Sequence, residues 1–312
     1  LGVDHLSARC VYTGRELWAT ELPLVGKNFT SLEHEAQPAP VYFPNHPGAN
    51  FIGSPYVSSE DCIYLVHDDR CLRVDTATGA ILETFDMPEW DDLKQRERDP
   101  LTVEMTKSYG AVLQEGQQLR WGNVRFAGDW LVVAAYPHMF DDTQPGREAN
   151  WNATSSEFIV VMDRHTGEIQ WVHQARYGFR HNAIAASTDK VFVIDNLSEE
   201  ILSILRRRGI RPDTEPQVRA LDIETGEVLW IYDDDVFGTS LSYSAAHDVL
   251  LQSGHPGRRA ALPDEPRDRL AGLRGQDDAV LWAESFTQRR APLCMHATRR
   301  QVIASTEEQS VD

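Results

Sequence analysis

Four cysteines, Cys10, Cys62, Cys71 and Cys294, are all that the 312 residues hold, too few and too scattered to staple a fold. No two are adjacent and no CxxC occurs. Cys62 and Cys71 flank a hairpin turn, His67 to Arg70, which sets Cys71 opposite Val66 and leaves Cys62 farther along the ladder. Free thiols, buried as small apolar residues, are therefore expected. Positive charge is scarce as well: 30 Lys and Arg stand against 48 Asp and Glu, a formal charge of −18. That balance argues against a phosphate-tracking surface and removes nucleic acid from the expected partners. No apolar run reaches the ~18 residues of a membrane-spanning helix, so no transmembrane segment is expected. No signal peptide is recognised. The chain opens on Leu1, a few residues before a repeated motif, and is read as a processed chain or a fragment. HExxH, GxSxG and Walker sequences are missing too, which leaves no local signature of a catalytic class.

What the sequence does hold is a repeat. Ala220 to Trp230 reads ALDIETGEVLW, Val161 to Trp171 VMDRHTGEIQW, Ala8 to Trp18 ARCVYTGRELW, and Arg73 to Glu83 RVDTATGAILE. Gly272 to Trp282, GLRGQDDAVLW, is a decayed copy that keeps the tryptophan. Each residue type has a task. Asp75, Asp163 and Asp222, with Thr13, Thr78, Thr166 and Thr225, can bond the backbone of a tight turn, and Gly14, Gly79, Gly167 and Gly226 supply positive φ. Trp18, Trp171, Trp230 and Trp282 follow on the outgoing strand, where a large flat ring can fill the gap to a neighbouring sheet. One sheet alone cannot bury that ring. A copy in every sheet gives the closed set of contacts that radial repetition uses to protect sheet edges.

Short β-branched and aromatic runs precede the copies: Ile63 to Val66, Trp130 to Ala134, Phe158 to Val161, Val191 to Ile194 and Val249 to Leu251. They read as strands and carry no helical periodicity. Successive tryptophans lie slightly farther apart than the ~40 to 50 residues of common blades, and insertions take up the excess. The expected architecture is all-β, a β-propeller of about five to eight four-stranded antiparallel blades, as one domain over 1–312. A final half-blade, Cys294 to Ser305, either closes a ring with the half-blade at the start or leaves the chain an arc of a larger propeller. Three insertions interrupt the blades: 86–118, with a short helix before Pro100; 137–157; and 198–217, a helix capped by Ser198 and closed by Arg206-Arg207-Arg208 and Gly209. Long loops on a rigid scaffold are natural binding elements. The triplets Asn28-Phe29-Thr30 and Asn152-Ala153-Thr154 fit a glycosylation pattern but are given little weight. His138, Asp141 and Asp142 lack a second histidine at ligand spacing, so no metal site is assigned.

The starts of the innermost strands line the central channel of such a ring. By repeat alignment they are Trp121 to Arg125, Phe179 to Asn182, Gly53 to Tyr56 and Thr239 to Ser242. Trp121, Asn123, Arg125, Arg180, His181 and Asn182 are the candidate ligand-binding residues, because Arg, His and Asn together can hold an anionic or carbonyl-bearing ligand. The opposing reading is that they bond one another and water in the channel.

The unit resembles the tryptophan-docking motif of the PQQ-like repeat superfamily, which includes quinoprotein alcohol dehydrogenases and BamB-type outer-membrane assembly lipoproteins. The resemblance covers most of the chain. It is specific for fold and weak for function, since the motif is structural in all members. It implies a bacterial periplasmic, cell-envelope or secreted propeller. Catalytic members carry an adjacent-cysteine disulfide above PQQ and a Ca²⁺ site with a catalytic Asp, and this chain has no such cysteine pair. The expectation is therefore a non-catalytic binding scaffold for a protein partner or for other domains of a larger polypeptide, with no catalytic residue assigned and no cofactor. PQQ-dependent dehydrogenase chemistry and hydrolase-type chemistry in the channel are the alternatives.

Overall fold

The computed structural model describes residues 4–23, 25, 56–67, 70–88, 120–136, 155–196, 206–207, 209–211, 215–237, 240–253, 269–285, 292–297 and 302–306. A two-stranded pair comes first, β1 (His5–Arg9) with β2 (Glu16–Glu21). A four-stranded sheet follows, β3 (Tyr56–Ser58), β4 (Cys62–His67), β5 (Arg70–Asp75) and β6 (Ile81–Asp86), in chain order. Next are β7 (Arg120–Ala127), β8 (Trp130–Tyr136), β9 (Ser155–Asp163) and β10 (Ile169–Ala186), then β11 (Lys190–Asp195), β12 (Gln217–Asp222) and β13 (Val228–Tyr232). β14 (Ser240–Ser244), β15 (Val249–Ser253), β16 (Arg269–Arg274) and β17 (Val280–Ser285) form another four-stranded sheet, and β18 (Pro292–Ala297) pairs with β19 (Val302–Thr306). All pairings are antiparallel.

The strands β7 to β13 share one seven-stranded ladder, and β10 is why. Its first part pairs with β9 through Trp171↔Val161 and its second with β11 through Ile184↔Val193. It is the outer strand of one blade and the inner strand of the next, so the ladder is two blades joined without a break. Inner strands follow one another around the array: β3 contacts β7, β7 contacts β10, β10 contacts β14 and β14 contacts β18. This is the blade succession of a β-propeller.

Between neighbouring blades the apolar residues gather in separate clusters. Tyr64, Phe85 and Met87 meet Trp121, Val133 and Phe158; Ile159, Trp171 and Phe179 meet Val193 and Ile223; Phe192 and Val218 meet Leu241 and Leu250; and Leu6 and Leu22 meet Leu65 and Val74. A middle strand has a blade on each side and is covered on both faces, so β11 reads as a continuous apolar run, Val191 to Ile194, rather than an alternating one.

The register is the same at every copy. Trp18 faces Ala8, Glu83 faces Arg73, Trp171 faces Val161, Trp230 faces Ala220 and Trp282 faces Gly272, each beside a register shift just after the turn. Cys71 faces Val66, and Cys62 and Cys71 are free and buried, burial pushing the Cys71 thiol up from its ordinary range.

The insertion boundaries differ from expectation. Ser155, Ser156 and Glu157 belong to β9, because Ser155 pairs with Arg180 and Ser156 with Phe179. Likewise Gln217 already pairs with Asp195 as the first residue of β12. Of the expected helix in 198–217, Arg206 and Arg207 are in a helical turn closed by Gly209 at φ 78. Most of 86–118 and 137–157 lies outside the described residues.

Candidate functional site

The repeated turn is built alike in three blades. The carboxylate of Asp163 accepts the amides of His165 and Thr166, both at 2.8 Å, and the Thr166 hydroxyl at 3.1 Å. Asp222 does the same with Glu224 and Thr225, and Asp75 with Ala77 and Thr78. Burial alone would raise the Asp163 carboxyl, but the Thr166 and His165 amides hold it below its ordinary value. At Asp75 the Thr78 hydroxyl is the main cause of the same downward shift. Where Gly275 to Ala279 replaces the usual turn, Asp278 takes the left-handed position at φ 60.

Among the described residues, each turn after the first receives an aromatic group from the preceding blade. The Trp18 indole donates to the Thr76 carbonyl at 2.9 Å, Trp171 to Ile223 at 2.7 Å and Trp230 to Gly275 at 2.9 Å. The acceptor is always the second residue of the turn. A Cβ on Gly226 would lie 2.7 Å from the Trp171 ring, so glycine is needed there both for φ and for the ring's approach. Where Glu83 replaces tryptophan, Phe85 takes over: a Cβ on Gly167 would lie 2.6 Å from its ring. Arg73 donates to the carbonyl of His165, the third residue of that turn, at 3.2 Å, adding a polar contact beside the seated ring. Arg164 reaches back to Asp61 at 3.1 Å and to the Tyr64 hydroxyl at 3.1 Å. Sequence reading missed this substitution. Its signal was an aromatic two residues after the lost tryptophan.

Of the six candidate channel residues, Trp121, Asn123 and Arg125 lie on β7, and Arg180, His181 and Asn182 on β10, two strands in contact around the ring. Trp121, Asn123 and Arg180 are buried. Trp121 belongs to the apolar cluster with Tyr64 and Phe158, so its ring serves the packing between blades. Arg125 is partly buried, desolvation draws its pKa down, and it donates to the Val124 carbonyl at 3.2 Å. The side chains of His181 and Asn182 lie outside the described residues, as do Gly53 to Pro55, Thr239, His138, Asp141 and Asp142. Among the described residues no three His, Cys, Asp or Glu side chains gather as metal ligands.

Sequence reading also missed Asp195. It is 1% exposed and closes β11, and its carboxylate accepts the amides of Arg176, Tyr177 and Gly178 at 2.7, 2.9 and 3.0 Å, with Arg219 at 3.3 Å. These amides form the irregular stretch of β10 where its register with β9 shifts between Gln174 and Phe179. A carboxylate so fully bonded is a brace that carries the strand from one blade to the next. The visible signal was an acid at the end of a buried apolar strand.

Residues 152–306 match the family model described as outer membrane protein assembly factor BamB. No curated protein sequence matches the chain. Among solved structures, BamB from Moraxella catarrhalis is 13% identical over 95% of this chain and 74% of its own, with a TM-score of 0.39. Hsv2p of Kluyveromyces lactis is 5% identical over 96% of this chain and 63% of its own, at 0.50. The quinohemoprotein alcohol dehydrogenase ADHIIG from Pseudomonas putida HK5 is 11% identical over 76% of this chain, at 0.42, and the match spans only 34% of that enzyme. With its repeated Asp-Thr-Gly turns, its four-stranded blades and this family match, the chain belongs to the PQQ-like β-propeller repeat superfamily.

Proposed function

We propose that the chain is a non-catalytic scaffold propeller of a bacterial envelope or secreted protein, which binds a protein partner or further domains through the rims of its blades. The observation that carries this reading is on the outer strands. Ile81 and Leu82 on β6, Val228, Leu229 and Ile231 on β13, and Val280 and Leu281 on β17 are all exposed. Each of these strands is the last of its sheet, and among the described residues no further strand pairs with its outer edge. A free edge beside apolar side chains is what an added strand or an apolar partner surface engages. The residues that define the repeat, by contrast, are spent on docking one blade to the next. The match to the BamB family model supports the envelope setting.

Any small ligand is assigned to the channel end near Arg125, Arg180, His181 and Asn182; of these, Arg180 is buried and Arg125 half-buried on inner strands, where blade packing alone does not require an arginine. The chain lacks the adjacent cysteines of the catalytic members. Titration of the purified chain with PQQ and Ca²⁺, followed by tryptophan fluorescence and a dye-linked alcohol oxidation assay, tests the reading. A scaffold gives neither response. Saturable quenching together with alcohol oxidation would overturn it.

A further inference from the structure

β2, β6, β13 and β17 each follow a copy of the repeated turn and end their sheets. An unpaired edge admits a strand of another chain unless charge, proline or twist blunts it. β2 holds Glu16 and Glu21, β6 holds Glu83 and Asp86, and β17 holds Glu284, whereas β13, Val228 to Tyr232, contains no charged residue and no proline. It is the least protected of the four.

The side chains of β13 divide by direction. Trp230 and Tyr232 pack against the cluster of Phe192 and Leu241, while Leu229 and Ile231 stay 47% and 42% exposed. Acids bracket this apolar stretch, Glu227 before it and Asp233 and Asp234 after it, all exposed. On the other three rims an arginine answers an acid: Arg9 reaches Glu16 at 2.9 Å, Arg70 reaches Asp86 at 3.1 Å and Arg274 reaches Asp277 at 3.1 Å. Beside β13, Arg269 answers Asp235, but among the described residues no cation pairs with Glu227, Asp233 or Asp234.

Resting on the scaffold role above, we propose that the outer edge of β13 takes up an extended segment of another protein in which apolar residues alternate with lysine or arginine. Main-chain hydrogen bonds to the unpaired edge supply the affinity and side chains the selectivity. The partner's apolar groups cover Leu229 and Ile231, and its cations meet Glu227, Asp233 and Asp234. A second copy of this chain is the wrong occupant, because it brings a formal charge of −18 and the same acids to the edge.

The probe is a synthetic peptide alternating valine with lysine, titrated calorimetrically into the whole chain. Strand addition predicts saturable binding that weakens with salt, weakens several-fold in Asp233→Asn with Asp234→Asn, and disappears in Leu229→Lys with Ile231→Lys. A peptide N-methylated at every backbone amide keeps the charge but cannot pair, and it must not bind. Absence of saturable binding overturns the proposal, and so does equal binding of the N-methylated peptide, which leaves only charge attraction. Dimerisation abolished by Leu229→Lys with Ile231→Lys also overturns it, assigning the edge to a second copy. Binding lost instead in Val280→Lys with Leu281→Lys moves the site to β17, overturning this proposal while the scaffold role stands. Quenching by PQQ together with alcohol oxidation removes the scaffold role itself, whatever the peptide does.

Discussion

Phe85 lies against Gly167 so closely that a Cβ on the glycine would come within 2.6 Å of its ring, and it thereby fills the seat that Glu83 leaves without an indole. At three blade contacts, Trp18 on Gly79, Phe85 on Gly167 and Trp171 on Gly226, an aromatic face thus lies over a left-handed glycine, and a tryptophan at the usual position is one way to provide it. Phe85→Ala should cost about 3 to 5 kcal/mol, as much as loss of a buried tryptophan, while Glu83→Ala on the same strand should stay within about 0.5 kcal/mol. Urea unfolding monitored by circular dichroism measures both. Equal effects of the two substitutions would show that Phe85 is not the seated group.

Asp195→Ala removes the acceptor of three amides at the irregular part of β10. Buried donors left without partners cost roughly 1 to 3 kcal/mol each, so the total should exceed that of an ordinary surface substitution several-fold. Hydrogen exchange at Arg176, Tyr177 and Gly178 gives the local reading. The brace predicts that these amides lose protection before those of β8 do; unchanged protection would contradict it.

Much of this was legible in the sequence and some was not, for physical reasons. Asp222, Thr225, Gly226 and Trp230 announced themselves because a local turn needs those residue types at fixed offsets. Phe85 and Arg73 did not, since any aromatic or donor that reaches the neighbouring turn will serve and the constraint is spatial rather than sequential. Asp195 acts on residues in another strand, so its own neighbourhood shows only an acid after an apolar run. The ends of the insertions were misplaced at Ser155 to Glu157 because a short polar stretch carries no strand pattern until its partners, Arg180 and Phe179, are known. Of the candidate channel residues, Trp121 is packed between blades, because an indole on an inner strand meets the apolar cluster of Tyr64 and Phe158.

Leu229→Lys combined with Ile231→Lys should shift the stability by no more than about 0.5 kcal/mol, because both side chains are exposed on the outer strand β13. Thermal unfolding checks this. A large loss would place them in the core and remove the surface on which the scaffold reading rests.

The turn carboxylates set a dependence on pH. Asp75 and Asp163 titrate below their ordinary values in the fold, and the Ser59 hydroxyl, then Arg164, hold Asp61 lower still. A lowered folded pKa means that their stabilisation is complete above the unfolded value of about 3.9 and is lost as pH falls through the folded values. The urea midpoint should therefore fall with acidification below about pH 4, and Asp163→Asn should flatten that fall. A midpoint that rises on acidification would contradict the assignment.

The central claim is that an indole from one blade, seated on the glycine of the next, holds the array together. It is tested most directly at Trp171 and Gly226 by urea unfolding of Trp171→Ala, Gly226→Ala and the double variant. The account predicts that Trp171→Ala alone costs about 3 to 5 kcal/mol and that the pair is non-additive by roughly 0.5 to 3 kcal/mol, because the alanine methyl has no ring to displace once the tryptophan is gone. Strict additivity, with each substitution costing the same in either background, would contradict it.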